Sequence, residues 1–446
     1  MHARRIAGNL SRNGRASLWK RTALASISAS PPSPNAGDHR RRPTLSLLGE
    51  AAFRRVWLVG GLVGTVRWIE FLVVGVYVLE LTGSPVQVAL MTMLRMLPMP
   101  LLSAFAGAIA ERFSRRRLLL AILATGMLVS LLQAWLAWAG SLELWHVAAG
   151  VLVNGAIWAI DMPVRRTMLG ELAGPGRTAG AMGLDAATNN ATRMLGPGAG
   201  GLLLETAGIH GAFLLGVGLY GVGLVLLYRL PRDEALPEAG GARIFARIAE
   251  GVRAVADDRA LTGTLAITVV FNIFAWPATA MVPVIGEQQL HLTAFPIGLL
   301  MSADGMGALI GAVLVAQGAR PPMFRGLYLA GVALFACASL VFALSPWPVL
   351  SGAAQVAAGA GSACFATMQA TIVFLSAPPA VRARVMGVLS VCIGTAVLGF
   401  VHLSLLAHWL GGPAAVLVTS AAALAALAVV ALVWPEVRPR APFIPR

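Results

Sequence analysis

Leu79-Glu80-Leu81-Thr82-Gly83-Ser84-Pro85 recurs 211 residues further on as Leu290-His291-Leu292-Thr293-Ala294-Phe295-Pro296. Each copy lies between two long apolar stretches. A second pattern repeats in the same way: Pro175, Ala179, Met182 and Gly183 return as Pro379, Ala383, Met386 and Gly387, 204 residues later. Both offsets are close to half of the 446-residue chain. Matching segments at corresponding places in two halves indicate internal duplication.

The stretches around these repeats set the solvent. From residue 56 onward, apolar runs follow one another near 56–80, 86–110, 118–140, 143–163, 180–206, 209–230, 262–286, 294–317, 326–345, 347–376, 384–410 and 413–434. Each reaches at least the ~20 residues a helix needs to cross the hydrocarbon of a bilayer. Runs of this length favour helices over barrel strands, because a helix satisfies its own backbone polar groups in lipid. Composition agrees: 57% of residues are hydrophobic and 12% charged, with a mean hydropathy of +0.77. The 49 glycines suit close helix packing in a membrane. The predicted fold class is an all-α polytopic membrane protein of about 12 transmembrane helices in two pseudo-symmetric six-helix bundles. The division is a basic, disordered tail over 1–50, bundles over 51–230 and 262–434, a linker over 231–261 and a tail over 435–446. In the linker, Ile244, Ile248, Val252 and Val255 fall at helical spacing beside Arg243, Arg247 and Arg253, the pattern of an amphipathic helix on a membrane surface or of a solvated linker helix.

The net charge of +15 is distributed as a topology signal and not as a nucleic-acid footprint. Lys20 is the one lysine, and the arginines gather in the N-terminal tail, in the loops after the even-numbered spans and at the C-terminus. Loops after odd-numbered spans carry no Lys or Arg and hold Glu80, Glu143, Glu287, His210, His291 and His408. The expectation is a multi-pass protein of the inner membrane with both termini cytoplasmic. Cys337, Cys364 and Cys392 lie inside apolar spans without metal-ligand spacing and read as packing residues. Gly216-Val217-Gly218-Leu219-Tyr220-Gly221 spells a dinucleotide-binding pattern, but within a membrane helix and with no preceding strand it is packing. No Walker A lysine and no catalytic constellation is present, so neither ATP drive nor an enzyme is expected.

Ionisable groups inside the spans cost roughly 2.5–3.5 kcal/mol each on insertion scales and therefore mark function. They are Arg67 and Glu70 in the first span, Arg95 in the second, Asp185 and Arg193 in the fifth and Asp304 in the eighth. Arg67 and Glu70, three apart, can meet on one helix face. Glu70 or Asp304 is the candidate proton carrier, since burial and a neighbouring arginine act oppositely on a carboxylate and motion can exchange them. A structural ion pair is the competing reading, more so for Asp185 near a helix end. Asn154, Asn189, Asn190, Asn272, Gln355 and Gln369 offer hydrogen bonds either to a substrate or to a neighbouring helix. Whether Arg67, Arg95 and Arg193 welcome an anion or are neutralised by the nearby carboxylates stays open at this level.

Three motifs carry a resemblance. Gly107-Ala108-Ile109-Ala110-Glu111-Arg112-Phe113-Ser114-Arg115-Arg116-Arg117 follows the second span and is similar to the major facilitator loop signature G-x-x-x-D-R-x-G-R-R, with Glu111 and Ser114 in place of its Asp and Gly. Gly196-Pro197-Gly198-Ala199-Gly200-Gly201 in the fifth span resembles the G-P-x-x-G-G element of exporters in that superfamily. Asp161, Pro163 and Arg165 form D-x-P-x-R at the end of the fourth span, and together with Arg193 they resemble the branch that contains the enterobactin exporter. The resemblance covers about residues 50–435. It implies a loop signature that clamps helix ends on the cytoplasmic side. It further implies a monomeric secondary transporter that moves a small organic molecule outward, with the proton gradient as its energy source and no cofactor. An importer or uniporter of the same fold, and a transporter-like sensor that moves nothing, are the alternatives.

Overall fold

The computed structural model describes residues 44–100, 102, 114–174, 176–230, 252–378 and 381–438. Residues 1–46 and 47–446 form separate units. The described residues of the second unit form helices and short connections, without a strand.

The helices are α1 (Ala51–Thr82), α2 (Pro85–Met96), α3 (Arg115–Trp138), α4 (Leu144–Ala173), α5 and α6 (178–207 and 209–228), α7 (Arg259–Gln288), α8 (Ala294–Gly318), α9 (Phe324–Leu344), α10 (Pro348–Ser376), α11 (Arg384–Leu410) and α12 (Gly412–Val433). Ten described helices are long and apolar enough to cross a membrane, and one of these, Thr178–Tyr228, has 51 residues. At 1.5 Å per residue it would be about 76 Å long, far more than a bilayer needs. Gly208, at φ 64° and ψ −176°, breaks it into two. Glycine takes that conformation without the steric cost a Cβ brings. The described part of α2 opens a further span, so the expected count of about twelve fits.

The duplicated segments both form the turn between two helices, with the left-handed residue at different places in the repeat. Gly83 ends α1 in the left-handed region at φ 63°, its N–H reaching Leu79 O, and Pro85 starts α2 where no N–H is needed. In the second half His291 takes the left-handed conformation between α7 and α8. Two expectations change. The fourth apolar run ends near 163, yet α4 continues to Ala173, because Pro163 removes only one hydrogen bond and the helix runs on beyond the apolar span. α7 is not a uniform helix: a π segment (Phe271–Ala275) and a 3-10 segment (Trp276–Met281) interrupt it, next to Pro277 and Pro283. In the linker, Ile244 and Ile248 lie outside the described residues. Val255 packs with Leu261 and Val385 of the second bundle, and Val252 is exposed.

Helix parity places the starts of α1 and α7 and the ends of α6 and α12 on one side, here the terminal side. Arg55 donates to the Arg229 carbonyl, and Arg259 pairs with Glu436 at 2.8 Å. On the far side the two bundles share one apolar cluster, in which Leu72 and Leu79 meet Val284, Ile285, Phe400 and Leu403. Toward the terminal side each bundle keeps its own cluster, around Phe53, Leu119 and Leu123 in the first and around Phe335, Phe365 and Leu427 in the second. Among the described residues the bundles are thus closed against each other on the far side only. Glu205 of α5 reinforces that closure by accepting the Phe295 N–H at the start of α8 at 2.8 Å, where a carboxylate complements the helix dipole.

Candidate substrate and coupling site

The charges of the membrane interior converge between the bundles, but not in the pairs that sequence spacing suggests. Arg67 and Glu70 share α1 and do not meet. Glu70, 2% exposed, accepts a hydrogen bond from Asn154 Nδ2 of α4, and Asn154 Oδ1 in turn accepts from Tyr220 Oη of α6 at 3.0 Å. Arg95 of α2 lies beside Glu70, donates to its carbonyl at 3.5 Å and covers the Phe71 ring at 5.6 Å. Arg67 turns away, its guanidinium 4.9 Å from the centre of the Trp158 ring. The reason is local: three residues along a helix leave the two side chains free to choose partners, and α4 offers both an amide and an indole.

Arg193 and Asp304 form an ion pair between the halves. Arg193 Nη2 lies 2.6 Å from Asp304 Oδ2 and its Nε 2.8 Å from the same oxygen. Arg193 Nη2 also reaches Ser362 Oγ of α10 at 3.4 Å, and the guanidinium stacks 5.5 Å from the Trp68 ring. Both partners are mostly buried, with side chains 16% and 13% exposed. A small cavity opens beside this pair, lined by Arg67, Arg95, Asp304, Trp68, Trp158 and Trp276. Apolar walls with a few placed charges are what a small-molecule site requires.

Asp185 and the D-x-P-x-R residues form a different cluster. Arg165 donates to both oxygens of Asp161 (3.2 and 3.3 Å) and pairs with Asp185, which also accepts from Arg166 at 2.8 Å. Asp161 is fully buried and Arg165 4% exposed. α1 accommodates this guanidinium at Gly60, where a Cβ would collide with it. The cluster ties α4 to α5 within one bundle and does not line the cavity. Arg165→Gln leaves two buried carboxylates short of a partner and is expected to cost about 3–5 kcal/mol of stability. Thermal unfolding of the purified protein checks this, with Arg165→Lys expected to recover part of the loss.

Of the loop signature, Gly107, Glu111 and Arg112 lie outside the described residues. Arg115 pairs with Glu171 at the end of α4, and Arg116 donates to the carbonyls of Leu227 (3.0 Å) and Tyr228 (2.7 Å) at the end of α6. These arginines hold helix ends, as cations near helix C-termini do. The fifth-helix element is a three-helix junction. A Cβ on Gly196 would meet Trp68 Cβ of α1 at 2.6 Å and one on Gly200 would meet Ile69 O at 3.1 Å, while Gly201 abuts Ala294 and Phe295 of α8 and the Pro197 carbonyl abuts Gly298. Of the amide candidates, Gln355 faces the cavity. Asn272 and Gln369 bond to Thr268 and belong to the helix packing. Asn189 and Asn190 are partly exposed on α5. Tyr220, Ser362 and the cavity tryptophans escape a sequence reading, because an aromatic or hydroxyl residue in an apolar span looks the same whether it faces a cavity or a neighbouring helix.

Residues 56–394 match the Major Facilitator Superfamily, and the chain belongs to that family. An uncharacterised MFS-type transporter of Bacillus subtilis is 26% identical over 173 residues, 39% of this chain and 40% of that protein. The staphyloferrin A transporter of Staphylococcus aureus is 24% identical over 161 residues, 36% of this chain and 41% of that protein. The matched parts thus span about two fifths of these curated relatives. Among solved structures, a POT family transporter in complex with a thioalcohol-conjugated peptide aligns at TM-score 0.69 and 13% identity, covering 86% of this chain and 96% of its own. A bacterial homologue of the human lysosomal transporter Spinster, inward-facing and unoccupied, aligns at 0.69 and 14%, covering 87% and 99%. At these identities the structures speak for the fold. The family and the named relatives are transporters and not enzymes.

Proposed function

We propose that the chain is a proton-coupled secondary transporter that exports a small organic molecule by alternating access, with Asp304 as the proton-carrying group. The observation that carries this is the Arg193–Asp304 pair, an ionic bond between bundles at the edge of a central cavity. Alternating access needs the bundles to rock about such a centre. Breaking a buried ion pair leaves an uncompensated charge and is costly, whereas a proton on the carboxylate removes the attraction first. Glu70, the other candidate, is enclosed within the first bundle, where its carboxylate accepts from Asn154 and its main-chain carbonyl accepts from Arg95. The export direction rests on the resemblance of the fifth-helix element, and a small organic cargo accords with the name of the Staphylococcus relative. The arginine-rich terminal side is the cytoplasmic one by the positive-inside rule.

The test is a toxicity panel of drugs, dyes and siderophore-like compounds in an efflux-deficient bacterial host. The chain is expected to protect against at least one compound, and a protonophore is expected to abolish the accompanying efflux. Sensitisation in place of protection would make the chain an importer. Efflux that survives collapse of the gradient would remove proton coupling.

A further inference from the structure

Resting on the transport reading, we propose that the central cavity is a site for organic anions, in which a carboxylate seats on Arg67 and an apolar or aromatic body lies among Trp68, Trp158 and Trp276. The argument is a charge count. Three guanidiniums line the cavity, those of Arg67, Arg95 and Arg193. Arg193 is neutralised by Asp304, and Arg95, whose buried Nη1 also lacks a hydrogen-bond partner, has the Glu70 carboxylate as its neighbouring charge. The two remaining carboxylates nearby, Asp161 and Asp185, are held by Arg165 and Arg166. Arg67 is left over: among the described residues it has no ion-pair partner, and its buried Nε has no hydrogen-bond partner.

A cation in a membrane interior normally pairs with a carboxylate or with backbone carbonyls, and one that does not marks a binding position. The Trp158 face at 4.9 Å offers Arg67 an attraction that leaves its hydrogen-bond donors unused. Those donors suit a planar oxyanion, which a guanidinium grips with two parallel bonds. The rest of the lining is predominantly apolar, with Phe71, Met96 and Met301 beside the indoles, so the complementary ligand has one anionic end and a hydrophobic body. A cationic or uncharged ligand would leave the Arg67 charge without a counterpart.

The experiment uses the full chain in lipid nanodiscs and three probes on one skeleton: 2-naphthylacetate, 2-naphthylacetamide and 2-naphthylethylamine. Binding is read by quenching of tryptophan fluorescence and by the shift in thermal unfolding. The acid is expected to bind at least about tenfold more tightly than the amide, and the amine more weakly still. Arg67→Gln should erase the preference and Arg67→Lys should retain part of it. Equal binding of acid and amide, or no response to any probe, overturns the proposal, as does an acid preference that survives in Arg67→Gln. Should Arg67→Gln fail to fold, the wild-type ranking and the Arg67→Lys ratio decide. Because this assay needs no flux, it separates the two readings. Gradient-linked transport without acid selectivity sinks only the anion site. Acid-selective binding without gradient-linked transport sinks only the transport reading.

Discussion

Asp304→Asn is expected to reduce proton-driven transport to the level of the empty membrane while leaving the protein folded and cargo binding measurable. Asparagine keeps the shape and the hydrogen-bond acceptor facing Arg193 but cannot take up a proton. The substitution has a second effect that must be separated from the first. It leaves Arg193, mostly buried between Trp68 and Ser362, without its counter-charge, a defect of about 3–5 kcal/mol when a buried pair loses one member. The double variant Arg193→Gln with Asp304→Asn removes that defect, because two neutral groups can share a hydrogen bond. It is expected to recover the thermal stability lost in the single variant and not to recover coupling. Substrate-dependent proton movement into proteoliposomes, read with a pH-sensitive dye, measures coupling directly. Proton movement that returns in the double variant would take the coupling role from Asp304, and Glu70→Gln would be the next substitution to make.

Much of the scaffold was legible in the sequence because lipid leaves few options. Hydropathy alone located the breaks at 80–86 and 206–209. The alternation of arginine between loops supplied the even helix count. The polar residues inside the spans were legible as a set, since each carries an insertion cost that demands a reason. Their pairing was not. Arg193 and Asp304 are 111 residues apart and come from different bundles, and no local rule links them. The Arg67–Glu70 pair, which helix spacing allows, is displaced by partners on α4 that lie 84 residues from Glu70 in the chain. The irregular stretch of α7 was hidden for another reason. Pro277 and Pro283 are visible, but whether a proline kinks a helix or widens it into a π turn depends on what packs against it. Here that is α11 and α12, with Gly399 against the Asn272 and Ile273 carbonyls and Thr419 donating to Phe274 O at 3.0 Å.

Gly201→Val and Gly183→Leu are expected to push the two-bundle equilibrium in opposite directions, although both lie on α5. Gly201 sits where α5 touches α8 on the far side: a Cβ there would collide with the Ala294 carbonyl and come within 2.8 Å of Phe295 Cα. Gly298 and Gly305 answer from α8, with Cβ positions 2.5 Å from Pro197 O and from Met194 N. The obstacles are backbone atoms, which cannot swing aside, so the added methyl groups must separate the helices. Overpacking of this kind costs about 1–3 kcal/mol, enough to shift an equilibrium roughly five- to 150-fold away from the far-side-closed state. Gly183 lies on the same face of α5, two heptads before Pro197, where nothing stands within 4 Å of its Cβ. Gly387 is its repeat-related counterpart on α11 and has the same empty surroundings, one heptad before Gly394, whose Cβ would meet Pro100 at 2.8 Å. Bulk at 183 or 387 therefore has room in the present conformation. It obstructs only the closure of the terminal side that alternating access requires. A cysteine at Ile297, 1% exposed in the far-side cluster, reports both effects in a background without Cys337, Cys364 and Cys392. Labelling by a membrane-impermeant maleimide should rise with Gly201→Val and fall with Gly183→Leu or Gly387→Leu. Gly359→Val is the control for plain misfolding, since its Cβ would collide with Asp304 O inside the second bundle, and it should lower the yield of monodisperse protein. Equal labelling in all the folded variants would mean that the far-side contact between α5 and α8 is not the moving one. The rocking would then have to be assigned to the contact between α2 and α11.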